Sequence, residues 1–235
     1  MLEKSIAINI KLLKTKFPFV IYWALIISIV KGLGWLFICW MIFVSIGIMY
    51  RAIADGFDGD KAYLYMTLPI SSKDLILGKV ITISILFTIC IIITIGILPA
   101  IFILAGDSFF WINSLVYDLV FIGISKLEIG ILATLLPITF FIIYACFSLI
   151  TMNLYLFFHS KGIGKLNRMS VYLSVLIGSV IFSVWIGVNY LGCGFFLRNN
   201  ISLLLIEFLN IVVNSAVSYL LLKKCDERLT YKFDL

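Results

Sequence analysis

Charge is what this chain has least of. Of its 235 residues only 13% are Asp, Glu, Lys or Arg, while 63% are hydrophobic and the mean hydropathy is +1.18. A soluble domain so composed would leave too much apolar surface in water, so its expected solvent is a bilayer. Histidine is nearly absent. The single one, His159, has no carboxylate pair beside it with which to build a metal site. No HExxH, GxSxG or clustered Asp/His pattern occurs, which removes the usual constellations of intramembrane proteases and lipid-modifying enzymes. There is no GxxxxGK[ST] loop either. Gly78-Lys79 and Gly164-Lys165 lack both the upstream glycine and the following Ser or Thr, so nothing cradles a nucleotide phosphate. Five cysteines (Cys39, Cys90, Cys146, Cys193 and Cys225) show no paired spacing, which argues against a disulfide framework or a zinc site.

What is present are long apolar runs, with 20 Phe, 11 Tyr and 5 Trp of the kind that settle at headgroup level. At ~20 residues per transmembrane helix, the chain has room for about six spans and no separate soluble domain. The expected fold is all-α and integral to the membrane, a single transmembrane domain over residues 1–235. Residues 1–17 read as an amphipathic helix, with Leu2, Ile6, Ile10, Leu13 and Phe17 on one face and Lys4, Lys11 and Lys14 opposite. That pattern describes a helix lying in the interface, not a cleavable signal peptide. Pro18 breaks it and turns the chain inward.

Spans one and two are expected within 17–50, around Lys31-Gly32-Leu33-Gly34, and span three over 76–104 with a kink near Pro99. Residues 106–127, with Asp107, Asn113 and Asp118, read as an amphipathic or re-entrant outer segment. Span four is expected over 128–157 with Pro137 inside, then a polar loop at 159–168. Spans five and six fall within 170–222, joined by a short loop containing Arg198, and 223–235 forms a charged tail.

The net charge of +6 does not point to nucleic acid, because the cations are scattered between spans. With both termini inside, the inner face holds Lys4, Lys11, Lys14, Lys16, Arg51, Lys61, Lys73, Lys79, Lys161, Lys165, Arg168, Lys223, Lys224, Arg228 and Lys232. The outer face holds only Lys31, Lys126 and Arg198. The positive-inside rule then predicts cytoplasmic termini and an even number of crossings. Lys223, Lys224, Arg228 and Lys232 are expected to pin the tail to anionic lipid.

The one long polar break lies between Ile53 and Lys79. Asp58 or Asp60 caps a short helix through Lys61, Tyr63, Leu64 and Met66, and Pro69 disfavours helical geometry at Leu68 and ends it. Ser71 or Ser72 then caps the next helix, with Asp74 favoured in its first turn. The stretch YLYMTLPISSKDLILGK resembles the segment of ABC-2-type transporter permeases in which a coupling helix precedes a Leu-Pro turn. Leu68, Pro69, Ile70, Ser71, Lys73, Leu75, Leu77, Gly78 and Lys79 carry the register of the resemblance. The interfacial helix, the six-span count and the loop FFHSKGIGKLNR extend it along the chain.

The resemblance implies a permease subunit in the plasma membrane, with an N-terminal elbow helix and a cytoplasmic coupling helix between spans two and three, within 51–75. It also implies a separate ATP-binding cassette subunit holding ATP and Mg, a second permease chain, identical or related, and no cofactor on this chain. The residues it assigns to ATPase coupling are Phe57, Asp58, Asp60, Lys61, Tyr63, Leu64, Leu68 and Pro69.

In span six, Glu207, Asn210, Asn214 and Ser218 recur at helical spacing. They are either a polar stripe along a translocation path or a set of interhelical hydrogen bonds. Walls rich in Phe, Ile and Leu suit hydrophobic or amphipathic cargo, with a membrane-active peptide as the leading expectation. The alternative is a carrier not driven by ATP, for which Glu207 is the only ionisable group at hand and no internal repeat is seen.

Overall fold

The computed structural model of the protein describes residues 2–13, 71–92, 126–160, 167–198 and 202–233. They form five helices: α1 (Leu2–Leu13), α2 (Ser72–Ile91), α3 (Lys126–Ser160), α4 (Asn167–Arg198) and α5 (Leu203–Phe233). Three of these are long and apolar enough to cross a membrane, over Gly130–Phe158, Met169–Val188 and Leu203–Thr230. Spans one and two, the coupling segment up to residue 70, Pro99 and most of 106–127 lie outside the described residues.

Several hydroxyls are accommodated within their own helix. Thr82 Oγ1 donates to the Gly78 carbonyl at 2.6 Å, Thr88 to Ser84 at 2.8 Å, Thr151 to Phe147 at 3.1 Å and Ser179 to Val175 at 2.7 Å. Hydroxyls bonded back to the preceding turn need no external partner, which suits a medium without water. The start of α2 follows the expected chemistry. Ser71 is extended (φ −63°, ψ 147°) and its Oγ accepts the Asp74 N–H at 3.1 Å, capping the helix.

Helix α3 is the hub, packing against α2, α4 and α5, while α1 packs along α2. Pairings fix the directions. Thr151 lies against Gly178 and Phe147 against Phe182, so α4 runs antiparallel to α3. Thr139 meets Glu207 and Asn153 meets Leu221, so α5 runs parallel to α3. Ser72 meets Asp226, which brings the start of α2 to the same end of the bundle as the finish of α5. Successive helices α3, α4 and α5 therefore alternate in direction, as three consecutive crossings must.

The core joins Leu75, Ile76, Ile83 and Phe87 of α2 to Phe147, Met152 and Tyr155 of α3, Val171 and Val175 of α4, and Cys225 and Leu229 of α5. Phe87 stacks on Tyr144 with ring centroids 4.5 Å apart. Two glycines set the closest approaches. A Cβ on Gly78 would collide with Ser5 of α1, and one on Gly178 with the Thr151 side chain. Small residues at crossings let backbones approach, and dispersion then does what water exclusion does in soluble cores.

The structure adds local detail to three of the sequence readings. Helix α1 turns Ser5 and Asn9 to the bundle and leaves Ile10 exposed, free to face lipid. The contact with α2 is steric in origin, since only a small side chain such as Ser5 fits over Gly78. The charged stretch from Lys223 continues α5 without a break to Phe233, with Cys225 and Leu229 buried against the core. Arg198 ends α4 instead of lying in a loop.

Candidate functional site

Two polar constellations interrupt the apolar packing. The first is the stripe of α5, built on the 3.6-residue period that brings Glu207, Asn210, Asn214 and Ser218 to one side. Thr139 Oγ1 of α3 donates to Glu207 Oε1 at 2.5 Å, while also reaching the Leu135 carbonyl at 3.2 Å. Asn214 is buried. Its Oδ1 accepts the Trp185 Nε1–H of α4 at 2.8 Å, and its Nδ2 donates to the Asn210 carbonyl at 2.8 Å. The Ser218 Oγ is buried on the same side. Asn210 and Asn214 are thus bonded to each other within α5, Asn214 is tied to α4 through Trp185, and Glu207 is tied to α3 through Thr139.

The second constellation lies at the end of the bundle where α2 begins. Ser72 Oγ donates to Asp226 Oδ1 at 2.5 Å and sits 3.3 Å from Thr230 Oγ1. On the other side of α5, Arg228 Nη1 donates to the Asn153 carbonyl at 2.7 Å, with its guanidinium carbon 5.4 Å from the Phe157 ring centroid. Asn153 Nδ2 in turn donates to the Leu221 carbonyl at 2.9 Å and to Leu149 at 3.1 Å. Arg228 therefore bonds to protein backbone, whereas Lys223 and Lys224 remain exposed. Lys79, counted among loop cations in sequence, is buried within α2.

The coupling residues Phe57, Asp58, Asp60, Lys61, Tyr63, Leu64, Leu68 and Pro69 lie outside the described residues. What is described is the point where that segment enters the bundle, at Ser71 and Ser72.

Sequence reasoning did not single out Ser72, Thr139, Asn153, Trp185 or Asp226 as partners in these networks. Asn153 had a signal, being an amide alone in an apolar run. Asp226 had none, since it sits among charges that read as a solvated end. Among the described residues, no three His, Cys, Asp or Glu side chains come together in a group that would hold a metal ion. Cys90, Cys146 and Cys225 are free and buried. No family model, curated protein or solved structure matches the chain.

Proposed function

We propose that this chain is the transmembrane subunit of an ATP-driven exporter, moving hydrophobic or amphipathic cargo outward with energy from a separate ATP-binding subunit. The observation that carries the reading is the entry Leu68-Pro69-Ile70-Ser71-Ser72-Lys73. It leads from the one long polar segment straight into a capped helix. The first turns of that helix are held by α5 at Ser72 and by α1 at Gly78. A segment gripped by a soluble ATPase and feeding a helix so held delivers its displacement to several helices at once. That is rigid-body switching between two packings.

In this reading six spans place both termini in the cytoplasm of a plasma-membrane protein. Residues 58–66 form the coupling helix, and a second permease chain completes the pathway. The gathering of the start of α2 and the finish of α5 at one end supports the reading, because Lys73, Lys223, Lys224 and Arg228 then share a side, as positive-inside requires. Glu207, Asn210 and Asn214 lie on the side of α5 that faces α3 and α4, where an ionisable group at membrane depth is tolerated. A membrane-active peptide is the cargo class that walls of this composition favour.

Purification from native membranes in mild detergent tests the reading, with an ATP-binding subunit expected to accompany the chain. Deleting residues 58–66, or replacing Leu68 and Pro69 together, is expected to leave insertion intact and to separate ATP hydrolysis from transport. Unchanged export and unchanged substrate-stimulated hydrolysis in those variants would remove it.

A further inference from the structure

Helix α5 engages two different helices with two different faces of its final turns. Asp226 and Thr230, one turn apart, face the first turn of α2 through Ser72. Cys225 and Arg228 face α3, at the Leu149 and Asn153 carbonyls. The carboxylate of Asp226 lies against the start of α2, where the helix dipole favours negative charge. Its bond from Ser72 is charge-assisted, the stronger class of hydrogen bond. Much of the remaining contact of α2 with α3 and α5 is through the apolar side chains of the core, whose contacts are weakly directional.

We infer that Asp226 is a positioning residue that ties the incoming end of α2 to α5, and through Arg228 and Asn153 to α3, so that the three move as one body. The inference rests on the exporter reading for what drives the motion; the tie itself does not. Ser72 stands three residues after Pro69, so displacement of the preceding segment arrives at this bond first. Without it, the first turn of α2 would shift apart from α5, and hydrolysis would proceed with little transport.

The test is a Ser72→Cys/Asp226→Cys chain whose five native cysteines are replaced by Ala or Ser. It is assayed in membranes before and after a short reducible bis-thiosulfonate cross-linker. Before cross-linking, transport per ATP is expected to fall about tenfold, the scale of one charge-assisted bond. Assembly with the ATPase should be retained. Cross-linking should restore coupling, and dithiothreitol should abolish it again.

Asp226→Asn keeps an oxygen to accept from Ser72 but loses the charge, so its coupling should fall between that of the native chain and that of Asp226→Ala, which should behave like the unlinked pair. A pair that fails to cross-link in membranes overturns the contact. A linked chain that is arrested, or an unlinked chain that is fully coupled, overturns the tie. Efficient cross-linking in a chain that binds no ATPase would instead overturn the exporter reading and leave the contact standing.

Discussion

Two regions of the bundle are built from the same Leu, Ile, Val and Phe, yet they behave oppositely. Where α2 lies against α3, with the first turns of α4 and the last of α5, Ile76, Phe87, Met152, Tyr155, Val171 and Leu229 are all buried. On faces turned away from that contact, Ile131 and Ile138 of α3, Tyr172, Leu176 and Val184 of α4, and Leu205, Phe208 and Val212 of α5 are exposed. Glycines mark the same divide. Gly78 and Gly178 sit under neighbouring helices, whereas a Cβ on Gly130 or Gly187 would meet no atom within 4 Å. In a bilayer, hydropathy does not separate a packed face from a lipid face, because lipid tails are as apolar as leucine. Small and hydrogen-bonding residues make the separation instead.

The largest test of this contrast comes from large-to-small changes. Phe87→Ala and Phe147→Ala should each cost about 3 kcal/mol or more, through cavities the packed region cannot close. Val184→Ala and Leu205→Ala should stay within ~0.5 kcal/mol. Reversible unfolding in mixed micelles reads both. Equal costs on the two faces would mean that some other surface covers the exposed one.

A smaller effect sharpens the glycine comparison. Gly78→Val should lose about 1–3 kcal/mol by overpacking against α1, with part of the loss recovered when Ser5→Gly is added. Gly187→Ala should be neutral, or stabilising by up to ~1 kcal/mol from helix propensity. A neutral Gly78→Val would mean that α1 is not seated over α2.

The smallest effect concerns the α5 stripe. A double-mutant cycle of Thr139→Val with Glu207→Leu should report a coupling of about 0.6 kcal/mol, the average for interhelical hydrogen bonds in membranes. A coupling several times larger would identify a dry, closed seam there instead of an open one.

Legibility in the sequence followed the same divide. Apolar run length was enough to locate α3, α4 and α5, because a span must bury its own backbone bonds over a fixed thickness. Ser71 and Asp74 announced the start of α2 because capping is a local interaction of four residues. Glu207, Asn210 and Asn214 were legible as a face, but their partners Thr139 and Trp185 were not, since those lie 68 and 29 residues away in the chain. The contact of Ser72 with Asp226 spans 154 residues and leaves no periodic trace. Helix α1 shows a related limit. A helical wheel ranks hydrophobicity, but the seat over Gly78 selects for size.

The parallel run of α3 and α5 carries a consequence for how the molecule is made. Two neighbours pointing the same way need a return pass between them, so α5 reaches its place only after α4 has been laid down. Until then the nascent α3 presents Thr139 and Asn153 with none of the groups α5 supplies. A chain lacking α5 would therefore leave Thr139 and Asn153 only their bonds to the Leu135 and Leu149 carbonyls of their own helix.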